Sequence, residues 1–468
     1  MKTLAMNNPR SGKEDFNVPV FSQQEVADIA KTLRKNHSYW WQIGIQGRIK
    51  VMLRFADELA NRKDALVAAL VNDTGRLSES VLEVDVTVST IQRWCKQAPP
   101  LLDTGASRLA EIPFIELQQR YLPYTLVGAI SPWNFPLLLS LVDIIPALLA
   151  GSAVLLKPSE VTSRFVEPLQ KVINLVPELQ SVFAVVTGAG DVGQAVLNEV
   201  DSLCFTGSVP TGRKVGEACA KRFIPAFLEL GGKDAAIVCA NADLDIAAKA
   251  LCWGSMVNAG QSCMSLERTY VHKDVAQAFL TKLVDCVKQL KHNYPDLKAG
   301  QVGPIISASQ VGIVKAQLSD AKAKGAKVLC GGEVVELGGG QYCQPTVLTN
   351  VSPDMKIMNE ETFAAILVVN VVDSDEEAIK RANDSEFGLS AAVFSKDVDY
   401  AMGIAEKLEV GGISINDASL TGLIHEAEKQ SFKYSGLGGS RMGAESIRRF
   451  IRKKAIIRNT GVPSPWWF

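Results

Sequence analysis

The sequence predicts an α/β protein made of two lobes, each with an open, mostly parallel sheet. From about residue 126 onward, short apolar or β-branched runs alternate with helical segments, which is typical of βαβ units. These runs form two successive series that meet near Gly231-Gly232. The chain has 468 residues, of which 47% are hydrophobic and 21% are charged. It can therefore bury a core large enough to fold without disulfides or a structural metal.

The first hundred residues are predicted to be helical. Residues 22–25 (Ser-Gln-Gln-Glu) fit a capping box, which satisfies the first backbone N–H groups of a helix. A helical apolar pattern covers residues 46–72 and ends near Gly75, and a third helix is expected at 79–97. Residues 110–124 are expected to form a pair of extended segments.

The predicted strands form two series, one for each lobe. A strand that is buried on both faces of a parallel sheet appears as a short continuous apolar run. The first series is Leu126–Ser131, Ala153–Lys157, Phe183–Thr187, Ser202–Thr206 and Phe227–Leu230. The second series is Ala235–Ala240, Arg268–His272, Lys327–Cys330, Ala365–Val372 and Gly411–Asn416.

Residues 126–156 are apolar enough to suggest a membrane span on hydropathy alone. A span needs about 20 mostly apolar residues in one helix, but Pro132, Pro136 and Pro146 interrupt any helix here, and Asp143 adds a charge. We therefore expect a buried strand, a turn, a helix and a second buried strand, and no membrane association.

Charge and cysteine content narrow the class of protein. The formal net charge is −1, whereas nucleic-acid and anionic-membrane partners require concentrated positive charge. The nine cysteines include no CxxC pair, which disfavours a disulfide framework and a metal site and favours a reducing compartment. The N-terminus lacks the apolar segment of a signal peptide, so we expect a cytoplasmic protein without a nucleic-acid partner.

Three residues are candidates for chemistry. Cys263 lies in a loop of small residues before a predicted strand, where a thiol can react, although a cysteine is more often a small core residue. Glu229 lies in an apolar run and suits either a general base or an ion-paired strand end. Asn134 lies between two prolines after a predicted strand, so its amide could donate to an oxyanion or cap a turn.

Two glycine-rich turns are candidates for phosphate binding. Residues 188–193 match G-x-G-x-x-G and include Gly190 and Gly193, but the acidic residue expected about 20 positions further on is absent. A second turn begins at Gly207. Either of the helices that follow could hold a phosphate at its N-terminus.

Taken together, these sites resemble the aldehyde dehydrogenase superfamily along nearly the whole chain. Seven family motifs occur in family order, namely SPWNFP at 131–136, KPSE at 157–160, FTGS at 205–208, LELGGK at 228–233, GQSC at 260–263, EETF at 360–363 and FGLSAAVFS at 387–395. Glu229 and Cys263 lie 34 positions apart. Seven matches in one order are not expected by chance.

The resemblance implies an NAD-dependent oxidation of an aldehyde to the carboxylic acid. Cys263 matches the nucleophile that forms a thiohemiacetal and then a thioester, and Asn134 with the Cys263 backbone N–H would hold the oxyanion. Glu229 matches the general base that activates water. Relatives that transfer the acyl group to coenzyme A typically lack this glutamate, so we expect a free acid as product.

The resemblance also implies a binding site for NAD. Lys157 and Glu160 match the pair that holds the adenosine ribose, and the Glu160 carboxylate would repel a 2′-phosphate, which favours NAD over NADP. Glu361 and Phe363 match residues at the nicotinamide ribose and ring. The other expected cofactor-binding residues are Ser131, Trp133, Ser159, Gly190, Gly193, Phe205, Thr206, Gly207, Ser208, Leu230 and Gly231.

By similarity, the chain is expected to have three parts. Residues 1–104 and 125–231 would form the NAD-binding domain and 232–447 the catalytic domain, each with a Rossmann-like sheet. Residues 105–124 and 448–468 would form a small β oligomerisation element. Relatives form homodimers or homotetramers, so we expect a homo-oligomer in which the tail residues Trp466, Trp467 and Phe468 pack on a neighbouring subunit.

Two other functions and the identity of the substrate stay open. A cysteine hydrolase or acyltransferase would need a histidine partner for Cys263, and none of the four histidines lies in a matching motif. A non-catalytic member of the family would not need its intact catalytic residues.

Residues 429–436 replace the Pro-Phe-Gly-Gly segment that is usual in the family and that borders the substrate entrance there. No cationic cluster marks an acidic aldehyde, and Met264-Ser265-Leu266 are weakly compatible with an apolar or aromatic one.

Overall fold

Two open sheets form the centre of the computed structural model, which describes residues 2–462. The first sheet has, in spatial order, the strands Gly436–Leu437, Ala226–Glu229, Ser202–Thr206, Leu126–Ile130, Ala153–Lys157 and Phe183–Val185. The second has Lys327–Cys330, Thr346–Thr349, Ile366–Val372, Leu266–His272, Asp234–Val238, Ser390–Phe394 and Gly412–Ile415. Pairing is parallel except for the edge strands Gly436–Leu437 and Lys327–Cys330. The predicted α/β class with two Rossmann-like sheets is confirmed.

All ten predicted strands are present, but two strands of the second sheet were not predicted. Ser390–Phe394 has the sequence SAAVF, and its two alanines give it the composition of a helix. Its neighbours on both sides bury it completely, and this tertiary environment overrides the local preference. Thr346–Thr349 is only four residues long, too short for a periodic signal.

Helices cover the faces of both sheets. In chain order they are Gln23–Gln42, Gly44–Asn61, Lys63–Thr74, Ser78–Leu102, Pro136–Leu141, Ile144–Ala150, Val166–Asn174, Pro177–Gln180, Gly190–Glu199, Val209–Lys221, Leu244–Met256, Lys273–Lys288, Ala308–Ala323, Lys356–Asn359, Asp375–Asn383, Val398–Ala405 and Gly443–Arg448, with short 3-10 turns at Val257–Gly260 and Leu420–Gly422. The capping box is confirmed, since Ser22 and Glu25 each accept the other's backbone N–H. The helix predicted at 46–72 is instead two helices that meet at Arg62.

The helical prediction is wrong for the first twenty residues. Thr3–Asn8 and Lys13–Pro19 form an antiparallel hairpin. Met6 and Val18 are buried while their neighbours are more exposed, which is the period of two of a half-buried strand. Arg164 holds this hairpin on the first lobe through Asp15 and Asp73, at 2.5 and 2.8 Å.

The long apolar stretch is not a single helix. Residues 126–156 form a strand, the two short helices Pro136–Leu141 and Ile144–Ala150, and most of a second strand, close to the prediction. Within residues 2–462, no helix has both the length and the apolar character that crossing a bilayer requires.

A third, antiparallel sheet is formed by Arg108–Leu109, Ile115–Pro123 and Ile451–Asn459. It brings together the two segments that were assigned to the oligomerisation element. Two short hairpins complete the strands, Val334–Leu337 with Gly340–Cys343 and Phe387–Gly388 with Phe432–Lys433. The expected packing of Trp466, Trp467 and Phe468 falls outside the described residues.

The chain returns to the first lobe near its end. Gly436–Leu437 pairs with Ala226–Glu229, although residue range 232–447 was assigned to the catalytic domain. Ile447 and Phe450 join the apolar core of the first lobe. The domain boundaries therefore stay a proposal.

Asp143 is the buried charge that fixes this returning segment. It lies just before the helix Ile144–Ala150 and receives hydrogen bonds from Arg441 at 2.8 Å and from Arg449 at 2.7 Å. Burial opposes ionisation of Asp143, but the two guanidinium groups outweigh it and hold its pKa below the ordinary value.

We predict that Asp143→Asn lowers the free energy of unfolding by about 3–5 kcal/mol, because it leaves buried guanidinium groups without a counter-charge. Unfolding in urea measures this loss. Asp245→Asn is the matched control, since it breaks an exposed pair with Lys282, and exposed pairs contribute little to stability. Equal destabilisation by the two variants would contradict the assignment.

Candidate active site

The three predicted catalytic residues, Cys263, Glu229 and Asn134, line one cavity of about 130 Å³ between the two sheets. Seven other predicted residues share its wall, namely Trp133, Thr206, Gly207, Ser208, Leu230, Glu361 and Phe363. Its lining also includes Pro132, Leu139 and Gln310, of which Gln310 was not anticipated. The remaining predicted residues lie outside this cavity, namely Ser131, Lys157, Ser159, Glu160, Gly190, Gly193, Phe205 and Gly231.

The topology explains this convergence. Glu229 and Thr206 are the last residues of adjacent parallel strands and are paired in register. Asn134 follows the next strand, Leu126–Ile130. Carboxyl ends of parallel strands lie at one edge of the sheet, which is where open α/β sheets bind ligands. The second sheet contributes Cys263 from the loop before Leu266–His272.

The backbone of the cysteine loop is strained. Asn258, Ala259 and Gly260 have φ values of 56°, 54° and 71°, a left-handed region that costs energy for residues other than glycine. Glycine is required at 260, because a Cβ there would lie 2.1 Å from the carbonyl oxygen of Ala364. The loop is thereby pressed against the segment that follows Phe363.

Asn134 is held by hydrogen bonds from both sides. Its Nδ2 donates to the carbonyl oxygen of Gln261 at 3.1 Å. The backbone carbonyl oxygen of Asn134 accepts hydrogen bonds from Arg76 Nη2 at 2.7 Å and from Asn258 Nδ2 at 3.2 Å. An amide nitrogen carries two hydrogens, so Nδ2 keeps one for a further acceptor.

A buried ion pair between Arg76 and Glu83 stabilises the position of Asn134. Arg76 donates to Glu83 at 2.9 Å, and both side chains are almost fully buried. Glu83 also accepts the backbone N–H groups of Leu137 and Leu138, at 3.0 and 3.1 Å, at the start of the helix after Asn134. Burial raises the pKa of Glu83 to about 7. The sequence does not predict this pair, because Arg76 and Glu83 reach the site only through tertiary contacts.

Glu229 is oriented by a residue that sequence reasoning also missed. Ser431 Oγ donates to Glu229 Oε2 at 2.9 Å, and the other carboxylate oxygen, Oε1, receives no hydrogen bond from residues 2–462. Ser431 lies in the segment 429–436, whose departure from the family pattern was noted. The altered sequence of this segment is the feature that could have indicated a different contact with Glu229.

The other side of the cavity is fixed by Lys233 and Glu267. These two buried side chains form a direct ion pair, and burial lowers the pKa of Lys233. Glu267 also accepts the backbone N–H groups of Thr362 and Phe363, each at 2.9 Å. The ring of Phe363 then packs edge-on against Trp133, with 5.2 Å between ring centroids.

Glu361 lies next to this clamp and faces the crossing between the sheets. The backbone N–H of Gly232 donates to its Oε1 at 3.3 Å. A Cβ at Gly231 would lie 2.6 Å from Glu361 Oε2, so glycine is needed there. Burial raises the pKa of Glu361 to about 8.

Cys263 is half-buried, and few nearby charges favour ionisation of its thiol. Burial raises the pKa of the Cys263 thiol to about 12, and the carboxylates of Glu361, Asp234 and Glu229 act in the same direction. Lys429 is the cation that opposes them. At neutral pH the thiol is therefore protonated in this state.

The residues outside the cavity form a surface suited to an adenine dinucleotide. Lys157 ends its strand and pairs with Glu160 at 2.8 Å. Burial opposes ionisation of Glu160, but Lys157 outweighs it and lowers the Glu160 pKa. Glu160 is 44% exposed, so its carboxylate can accept from ribose hydroxyls. Gly193 faces Lys157, and open space surrounds the Cα of Gly190.

The turn at Gly207 and Ser208 suits the pyrophosphate. Ser208 precedes the helix Val209–Lys221 but does not cap it, because its Oγ bonds Thr211 Oγ1 instead. Pro210 has no N–H, but the backbone N–H groups of Val209 and Thr211 belong to the first turn of that helix, where N–H groups have no partner within the helix and an anion can bind. A Cβ at Gly207 would collide with the Phe205 ring, 2.7 Å away. These donors suit the pyrophosphate, and the Glu160 carboxylate suits the adenosine ribose, of an adenine dinucleotide.

The remaining predicted cofactor residues have internal partners. Ser131 Oγ bonds Ser140 Oγ at 2.7 Å, and Ser159 Oγ accepts the backbone N–H of Val161 at 3.2 Å. No histidine among residues 2–462 lines the cavity at Cys263, which leaves a hydrolase without its required base. No cluster of metal-binding side chains occurs in this part of the chain either.

Comparisons with known proteins agree on one family. The model of the aldehyde dehydrogenase family matches residues 1–456. The curated "Putative succinate-semialdehyde dehydrogenase (NADP+)" of Mycolicibacterium smegmatis is 34% identical over 95% of this chain and 87% of its own. The solved "Putative Aldehyde Dehydrogenase PutA" from Anabaena variabilis is 50% identical over all of both chains, with a TM-score of 0.98. Betaine aldehyde dehydrogenase from Staphylococcus aureus, in complex with NAD+, is 30% identical over 100% of this chain and 93% of its own, with a TM-score of 0.93.

We predict that alkylation of Cys263 by iodoacetamide in the cofactor-free protein accelerates about tenfold per pH unit between about pH 7 and about pH 9, because only the thiolate reacts and its fraction rises tenfold per unit below the pKa. Peptide mass spectrometry separates Cys263 from the other cysteines. A plateau within this range would show a pKa below the upper limit and contradict the buried, protonated thiol.

Proposed function

Because the chain belongs to the aldehyde dehydrogenase family, we propose that it oxidises an aldehyde to the free carboxylic acid with NAD, through a thiohemiacetal and a thioester on Cys263. The observation that carries the proposal is the convergence of Cys263, Asn134 and Glu229 in one small cavity. A nucleophile, an oxyanion donor and a general base are the groups that acyl chemistry needs.

The first step joins the thiol to the substrate. The Cys263 thiol releases its proton to water, and Sγ adds to the carbonyl carbon while the carbonyl oxygen takes the displaced electron pair. The free hydrogen on Asn134 Nδ2 and the Cys263 backbone N–H donate to this oxyanion. Such fixed donors are worth about 2.7–4 kcal/mol each in comparable sites.

The second step removes a hydride from the same carbon. A bound NAD would supply the acceptor for that hydride, and the electron pair of the oxyanion would re-form the C=O bond, so that the carbon becomes a thioester of Cys263. The chain contributes Trp133 and Phe363 as an aromatic wall at the cysteine. Glu361, held by the Gly232 N–H, offers a carboxylate for a ribose hydroxyl.

The third step hydrolyses the thioester. Glu229 Oε1 takes a proton from a water molecule, whose oxygen adds to the thioester carbon. The tetrahedral species then collapses, the C–S bond breaks, and the thiolate leaves as the carboxylic acid forms. Ser431 donates to the opposite oxygen, Oε2, and so keeps Oε1 turned toward the water.

We assign NAD rather than NADP as the preferred cofactor. The carboxylate of Glu160 accepts both ribose hydroxyls, and its charge repels a 2′-phosphate. Lys157 holds Glu160 in place. The relatives differ on this point, since the name of the M. smegmatis protein specifies NADP and the S. aureus structure contains NAD+.

We also propose a cytoplasmic homodimer or homotetramer with an aldehyde as its small-molecule partner. The strand Ile451–Asn459 pairs with Ile115–Pro123 on one side only among the described residues. Its Ile456 and Ile457 side chains are 42% and 66% exposed, and an unpaired strand edge can associate with another strand. The division into an NAD-binding domain, a catalytic domain and this oligomerisation element belongs to the same proposal.

The general-base role of Glu229 predicts that Glu229→Gln slows thioester hydrolysis about a hundredfold or more and that an acyl-enzyme accumulates. Intact mass measurement after mixing with NAD and an aldehyde would detect an adduct of the acyl mass. The double variant with Cys263→Ala is the control and should carry no adduct. Turnover of Glu229→Gln at the native rate, with no adduct, would refute the role.

The cofactor assignment predicts that Glu160→Gln raises kcat/KM for NADP relative to NAD about tenfold, because it removes a charge that repels the 2′-phosphate. Steady-state rates with both cofactors measure the ratio. Glu167→Gln removes an exposed charge paired with Lys171 and should leave the ratio unchanged. If Glu160→Gln also leaves it unchanged, Glu160 does not select the cofactor.

A further inference from the structure

The segment Lys429–Ser431 lies next to the candidate active site, at its proposed general base. Ser431 contacts the general base Glu229 directly, so the segment borders the cavity. Lys429 is two residues away, which limits the distance between their Cα atoms to about 7 Å. Its backbone N–H donates to Ser440 Oγ at 2.9 Å, which anchors the start of the segment.

The stem of Lys429 lies over the edge of the second sheet. Its Cδ is 3.1 Å from the position that a Cβ would take on Gly412. Gly412 pairs with Ser390 on the next strand, and Ser390 donates its backbone N–H to Asp234 at 3.1 Å. Thr421 Cγ2 lies 2.6 Å from the same Cβ position on Gly412, and Thr421 Oγ1 donates to Sδ of Met264, the residue after Cys263, at 3.5 Å.

Asp234 in turn lies close to the backbone carbonyl of Cys263. A Cβ on Gly232 would lie 2.8 Å from Asp234 Oδ1 and 2.6 Å from the carbonyl oxygen of Cys263. The electrostatic evidence agrees with this path, since Lys429 is the cation that most favours both the thiolate of Cys263 and the carboxylate of Asp234.

Lys429 has no charged partner of its own. Among residues 2–462, its Nζ forms no ion pair and no side-chain hydrogen bond. Asp234 satisfies its two oxygens with Ser390 instead. By contrast, Lys433 on the same segment pairs with Glu409 at 2.8 Å and donates to Asn383 O at 2.7 Å. The residue Lys429 is half-buried, and an ammonium group without a protein partner can form a charge-assisted hydrogen bond with an anion.

We propose that Lys429 binds an anionic group of the substrate and that the preferred substrates are aldehydes carrying a carboxylate. This inference rests on the proposed oxidation at Cys263 and specifies its substrate class. A carboxylate at Nζ gains a charge-assisted hydrogen bond, whereas a cationic aldehyde meets repulsion at the same place. The sequence-based expectation of an apolar or aromatic aldehyde is thereby replaced.

The relatives do not decide this point. One is named for succinate semialdehyde, which is anionic, and another for betaine aldehyde, which is cationic. The residue that distinguishes these charges here is Lys429, in the segment where the chain departs from the common family pattern.

The test compares succinic semialdehyde with its uncharged methyl ester, using wild type, Lys429→Gln, Lys429→Arg and the control Lys433→Gln. We expect wild type to prefer the acid. Lys429→Gln should lower kcat/KM for the acid about tenfold to a hundredfold, chiefly through KM, because a charge-assisted hydrogen bond is lost. The ester makes no such bond, so its kcat/KM should fall much less than that of the acid, and the ratio of the two kcat/KM values should drop about tenfold.

Lys429→Arg keeps the charge and should retain the preference for the acid, and Lys433→Gln should leave both substrates unchanged. Equal losses for acid and ester in Lys429→Gln would overturn the inference and assign Lys429 to the thiol or to folding. No loss for either would overturn it as well. If wild type oxidises neither compound nor any uncharged aldehyde, the proposed function itself fails; turnover of uncharged aldehydes with no preference for the acid refutes the substrate class alone.

Discussion

The buried ion pair between Lys233 and Glu267 joins the three segments on which the active site depends. Lys233 follows the crossing between the two sheets at Gly231-Gly232, and Glu267 begins the strand after the cysteine loop. Glu267 also fixes the loop that carries Phe363. Breaking one partner of a buried pair costs about 3–5 kcal/mol, so these segments are held in one arrangement. The cavity at Cys263 is the space that this arrangement leaves between the sheets.

The same burial that shapes the cavity sets its chemistry. A desolvated thiol with three carboxylates around it is protonated at neutral pH, so ionisation has to be assisted by positive charge. Lys429 is the available cation on the substrate side. Asn134 and Glu229 have different supports, the first from Arg76 and the strained cysteine loop, the second from Ser431. The nucleophile, oxyanion donor and base are thus fixed independently before a substrate arrives.

The parts of the fold that depend on local pattern were predictable, and those that depend on tertiary contact were not. The ten strands that appeared as apolar runs are all present, but Ser390–Phe394 looks helical until its neighbours bury it. The candidate residues Cys263, Glu229 and Asn134 could be named from motifs, and the structure places them in one cavity. Arg76 donates to the backbone carbonyl of Asn134, and its partner Glu83 accepts the backbone N–H of Leu137, both more than fifty positions away. Nothing in the local sequence indicates these contacts. Lys429 likewise has no signal except the altered segment in which it lies.

The most direct measurement is the appearance of NADH absorbance when the purified protein is mixed with NAD and a panel of aliphatic, aromatic, amino and carboxylated aldehydes. The Cys263→Ala variant, which keeps the cofactor surface, is followed in parallel. We expect NADH to form with the wild type alone and carboxylated aldehydes to give the highest rates. Binding of NAD without NADH formation from any aldehyde, or equal NADH formation by the variant, would contradict oxidation through Cys263.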